Sequence, residues 1–138
     1  MTPQQISDVR TSFALVAPIA DKAAALFYGN LFTADPTLRR LFKSDLGDQG
    51  ERLMSMIGAA VALLDQPQRL LPTLHALGAR HAGYGVRESH YATVGQALIK
   101  TLSQGLGDAF TPAVAEAWSA MYGMVAREMQ RSAQMAPA

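Results

Sequence analysis

A chain of 138 residues with 49% hydrophobic content has the length and apolar fraction of one domain with a core, and is too short for two. Its 12 basic and 11 acidic residues leave a net charge of +1 with no basic run, which points away from nucleic acid and from a charged membrane surface. The absence of cysteine excludes disulfides, thiolate zinc sites, iron–sulfur clusters and thioether-linked cofactors.

Helical periodicity governs the chain, and strand alternation is weak. Thr2 before Pro3 reads as a cap and first helical position, followed by a stripe of Ile6, Val9, Phe13 and Val16. Pro18 breaks it, and Ala20, Ala24, Phe27 and Leu31 form the next stripe, with Tyr28 beside it. Asp35-Pro36 ends that helix, and a short helical turn runs through Leu41-Phe42. Lys43 to Asp48 is polar and glycine-bearing and reads as a loop. Leu53, Met56, Ile57, Ala60, Val61 and Leu64 then repeat at three- and four-residue steps up to Asp65-Gln-Pro67. Pro72 is expected to open the next helix, which carries Leu74, Leu77 and His81 and stops at Gly83 and Gly85. A long helix from Glu88 turns Tyr91, Val94, Leu98, Ile99 and Leu102 inward, and Gly105 and Gly107 end it. Thr111 caps the last helix, which shows Val114, Trp118, Met121, Tyr122, Val125 and Met129 on one face. No internal repeat interrupts this pattern. Residues 1–138 therefore read as a single all-α domain of six to eight helices, with 131–138 as a frayed tail. The start lacks a basic segment leading into an apolar one, and no stretch is apolar enough to span a bilayer, so a cytoplasmic location is expected.

Common catalytic words are missing. No HExxH, GxSxG or Walker pattern occurs, and no GxGxxG follows a strand. Gly58, in mid-helix, is assigned to close helix packing. Of the three histidines, His75, His81 and His90, His81 has the setting of a ligand. It lies at a helix end before Ala82-Gly83-Tyr84-Gly85, where a neutral imidazole can face a metal while its other nitrogen donates to a carbonyl. A histidine that merely caps the helix C-terminus fits the same spacing. His75, six residues earlier, is expected to be exposed. Gln49 shares a face with Leu53, either as a solvated first-turn residue or as a ligand contact. Tyr28 reads either as a boundary tyrosine with its hydroxyl in water or as an inward donor.

The order of several short words resembles the single-domain haemoglobins of bacteria and the globin half of flavohaemoglobins. Phe27-Tyr28-Gly-Asn-Leu-Phe32, then Asp35-Pro36 and Leu41-Phe42, is similar to that family's second helix and the corner after it. Gln49 with Arg52-Leu53-Met54 resembles its distal helix. Leu77-Gly78-Ala79-Arg80-His81, Tyr84-Gly85-Val86 and His90-Tyr91 resemble the proximal helix and the start of the next. Ala117-Trp118 and Met121-Tyr122-Gly123 resemble the last helix. The likeness runs over about residues 3 to 131.

The resemblance implies a globin fold holding haem b, with His81 as the proximal iron ligand and the sixth position open. It places Tyr28, Gln49 and Leu53 on the distal, gas-binding side and Phe42 against the porphyrin. It makes Val86, Tyr91 and Val94 proximal-side contacts, with Arg80 or His90 at a propionate. Oxygen, nitric oxide and carbon monoxide are the implied ligands, and Tyr28 and Gln49 are the implied donors to them. The implied roles are oxygen carriage or storage, nitric oxide dioxygenation with a separate reductase, or gas sensing through a partner protein, in a monomer or homodimer. One relay departs from the family: Tyr91 matches the tyrosine beside the proximal histidine, but the relay glutamate's position holds Ala133, with Glu128 a turn too early.

Overall fold

The structure, a computed structural model, describes residues 1–43 and 45–135, the side chains of 133–135 excepted. Among them are six α-helices and no strand: α1 (Pro3–Val16), α2 (Ala20–Ala34), α3 (Leu46–Ala62), α4 (Pro67–Gly83), α5 (Glu88–Leu106) and α6 (Pro112–Met135). Short 3₁₀ turns at Ala17–Ile19, Pro36–Leu41 and Gly107–Ala109 link them.

The helix starts follow from local chemistry. Thr2 and Gln5 form a reciprocal capping box with Pro3 at the first position, so two N–H groups without helical partners are satisfied. Pro18 lacks an N–H and resolves into the 3₁₀ turn between α1 and α2. Asp35 caps the next turn by accepting from the Thr37 N–H, Asp45 caps α3, and Thr111 accepts from the Val114 N–H.

Two boundaries differ from the sequence reading. α3 begins at Leu46, because Asp45 accepts from the Asp48 N–H and starts a helix inside the stretch expected to be loop; Ser44, in the same stretch, lies outside the described residues. α4 begins at Pro67, and Pro72 lies inside it. Gln66, ahead of the first proline, takes the non-helical φ −131°, ψ 68° that such a position favours. Pro72 then removes only the bond to the Gln68 carbonyl near the helix start. At the other end, α6 continues through Met135, past the point where fraying was expected, and Ala136–Ala138 lie outside the described residues.

Packing divides the interior into two clusters. In one, Val9, Val16, Leu74, Trp118, Met121 and Met129 join α1, α4 and α6. Trp118 is 1% exposed, and its indole N–H donates to Ser12 Oγ at 2.8 Å. In the other, Phe27, Tyr28, Leu31, Leu38 and Ala97 join α2, α5 and the Pro36–Leu41 turn. α4 packs chiefly on α6, and α2 on α5 and α3. Arg10 ties α1 to the end of α3, donating to the Val61 and Ala62 carbonyls and to Asp65. The helices bearing His81 and Gln49 thus rest on different supports.

Candidate functional site

His81 stands in the last turn of α4, and its surroundings fix both its ring and its backbone. The ring Nδ1 lies 2.8 Å from the Leu77 carbonyl. A carbonyl only accepts, so Nδ1 carries the proton and Nε2 is left with a lone pair and no partner among the described residues. Burial holds the imidazole below its ordinary pKa and outweighs the Leu77 bond, which acts the other way; the Arg80 charge lowers it further. A neutral ring at physiological pH follows. The carbonyl of His81 accepts from the Val86 N–H, and that of Ala82 from the Gly85 N–H. With Gly85 at φ +91°, this is a Schellman closure, which glycine alone adopts without strain. It joins Val86 to His81. His81 is thus tied into the helix end at two points, and its Nε2 remains free.

The second part of the site is aromatic. Tyr28 is 5% exposed, with its ring centroid 5.3 Å from Phe27, 5.9 Å from Phe32 and 5.3 Å from Phe42. Its hydroxyl has no hydrogen-bond partner among the described residues, and burial pushes its pKa up to about 12. The ring is thus buried more deeply than a boundary position implies, while the hydroxyl is left to solvent or to a ligand. Half-buried Phe42, Leu53 and Val94 pack on the same cluster. Gln49 is half-buried at the start of α3, beside Gly50. A Cβ added at Gly50 would stand 2.9 Å from the Ala24 Cβ and 3.8 Å from the Tyr28 ring, so that glycine brings α3 down onto α2. The Pro36–Leu41 turn links the two parts: a Cβ at Gly85 would lie 3.8 Å from Leu41 Cδ2.

The remaining predicted residues surround this arrangement. Arg80 is exposed next to His81. His90 Nδ1 accepts from the Arg87 N–H at 2.9 Å. Tyr91 is buried, and its carbonyl accepts from the Tyr122 hydroxyl at 2.6 Å. His75, expected to be exposed, keeps a side chain 40% exposed and is also bonded through Nε2 to Glu128, because α6 passes beside it. Sequence reasoning anticipated a carbonyl for the His81 donor without naming Leu77, and missed Gly50. The i−4 spacing from His81 to Leu77 was the available signal for the first, and nothing in the sequence marked the second.

No group of three metal-binding side chains occurs among the described residues. One neutral imidazole cannot hold an iron alone, so a metal at His81 must arrive with its own equatorial ligands. An unpartnered Nε2, a buried phenol with a free hydroxyl and flanking apolar side chains suit a flat iron macrocycle such as haem.

Six helices among the described residues, an imidazole with an unpartnered Nε2 and an aromatic cluster around a buried tyrosine point to a class of helical cofactor-binding proteins. Comparison with known proteins names the class: the globin family model matches residues 25–129, and the chain belongs to that family. A flavohemoprotein of Bordetella parapertussis is 35% identical over 103 residues, covering 72% of this chain and 26% of that protein. A flavohemoprotein of Rhodopirellula baltica is 30% identical over 129 residues, covering 91% of this chain and 32% of that protein. The chain thus spans between a quarter and a third of these relatives. A hexacoordinated heme protein from an anhydrobiotic tardigrade superposes with a TM-score of 0.87 at 18% identity, covering 97% of this chain and 96% of that one, so the globin fold is shared.

Proposed function

We propose that the chain is a haem b globin that reversibly binds a diatomic gas, with His81 Nε2 as the iron ligand and Tyr28, Gln49 and Leu53 around the gas. The observation that carries this is the division of labour within one ring: Nδ1 donates to the Leu77 carbonyl and Nε2 is free. Haem would supply an iron with one axial position left for oxygen, nitric oxide or carbon monoxide. The chain's residues do the rest. The Leu77 carbonyl holds the imidazole in the tautomer that ligates, and raises its basicity. Tyr28, uncommitted and protonated to about pH 12, is available as a donor to a ligand with partial negative charge. Phe42 and Leu53 exclude water from that donor, which strengthens it. Val86, Tyr91 and Val94 contact the macrocycle, and Arg80 or His90 meets a propionate.

A more specific role within this reading is nitric oxide dioxygenation, with electrons drawn from a separate reductase. Oxygen carriage or storage in a cytoplasmic monomer or homodimer needs no such donor. Turnover with nitric oxide and an added reductase separates them, since a carrier stops after one turnover. The globin reading itself rests on the absorption spectrum of the reduced protein with and without carbon monoxide. A sharp Soret shift on adding carbon monoxide is expected, lost or altered in His81→Gly. A colourless protein, or a His81→Gly variant with an unaltered spectrum, overturns it.

A further inference from the structure

α4 has one main support, and it lies close to His81. A Cβ placed on Gly78 would overlap the Met129 carbonyl, so α4 and α6 cross backbone to backbone three residues before His81. Directly beside this crossing, His75 Nε2 lies 3.2 Å from Glu128 Oε2, and the Ser132 hydroxyl donates to the His75 carbonyl at 2.6 Å. Glu128 is 15% exposed, and its other oxygen accepts from Arg131 at 3.3 Å. One residue of α4 is therefore gripped at its side chain and at its backbone by α6.

We propose that Glu128 is a positioning residue for His81, acting through His75: the bond fixes where α4 lies on α6, and with it the height and tilt of the His81 ring. The inference rests on the reading of His81 as an iron ligand. The physical reason is rigidity. A helix transmits displacement along its axis, and the stretch from His75 to His81 is about 9 Å of unbroken helix at 1.5 Å per residue. Gly78 permits the close crossing but supplies no directional bond, so sliding or rolling of α4 is opposed by the polar contacts at His75. In α6 the carboxylate thus reaches α4 two turns before its ligand end, while the His81 ring itself is held by its own helix.

The test uses the haem-loaded protein. Glu128→Ala and His75→Ala should each displace the iron–histidine stretching band of the reduced, ligand-free protein in the same direction. Each should also speed haem loss to a scavenging apoprotein about tenfold. The double variant should go no further than the larger single one, and Glu128→Gln, which keeps an acceptor of the same reach, should restore the band. Unmoved bands with a lower melting temperature, or effects that add in the double variant, overturn the proposal. Failure of the underlying reading has a different signature: no iron–histidine band in the unaltered protein, or the same band in His81→Gly.

Discussion

Tyr28 shows how much one side chain's surroundings decide. Its ring is packed among three phenylalanines, and its hydroxyl is left without a partner. A net hydrogen bond from such a group contributes about 1–1.5 kcal/mol, so Tyr28→Phe should speed oxygen dissociation about tenfold in stopped-flow measurements. An unchanged off-rate would remove Tyr28 from the gas side. The same burial has an alkaline consequence. The folded chain keeps the Tyr28 proton to about pH 12, whereas an unfolded chain releases it near 10.0. The folded state therefore binds more protons in that window, and stability falls as pH rises through it. Denaturation of the haem-free protein from pH 9 to 12 should show a shallower decline in Tyr28→Phe than in the unaltered chain. Tyr91 and Tyr122, also raised by burial, keep the remaining slope. At this scale the bond from the His81 ring to a backbone carbonyl was legible in the sequence, because a histidine at a helix end before two glycines is a local pattern. The burial of Tyr28 was not, because it depends on Phe42 arriving from another segment.

Elements were legible where a cap or a period marked them. Thr2-Pro3, Thr111-Pro112 and the α5 stripe all lie where the residues point. The misplaced starts of α3 and α4 have a common cause: competing signals only one or two turns apart, between which the sequence supplies no energy difference. The His75–Glu128 bond was illegible for a deeper reason. It depends on where α4 crosses α6, and that depends on Gly78 touching Met129, a contact 51 positions apart in the chain. Glycine substitutions test this directly. Gly78→Ala forces a side-chain atom into the Met129 carbonyl and should cost about 1–3 kcal/mol or more by denaturant titration. Gly29→Ala, on an exposed face of α2 with nothing near its Cβ, should instead stabilise by about 0.4–1 kcal/mol. Equal effects at the two positions would mean that α4 and α6 do not approach this closely.

For the whole molecule, the two clusters do unequal work. The one around Trp118 is complete within the protein, with Val9, Leu74 and Trp118 all at 2% exposure or less and the indole N–H satisfied. The one around Tyr28 is bordered by half-buried side chains, Phe42, Leu53 and Val94 among them, each with a face left uncovered. A bound macrocycle would cover those faces, and a ligand that binds only the folded state at 1,000 times its Kd adds about 4 kcal/mol of stability. Extracting haem should therefore lower the melting temperature and raise dye binding to exposed apolar surface. The loss should be local. Amide exchange is expected to accelerate at the end of α4, through Tyr84 to Val86, and at the first turns of α3, the segments that carry His81 and Gln49. The amides of α1 and of α6 around Trp118 should keep their protection, and Trp118 emission should stay blue. Uniform acceleration throughout the chain would instead mean that the cofactor braces the Trp118 core as well, and that α4 has no separate stability from the helices it rests on.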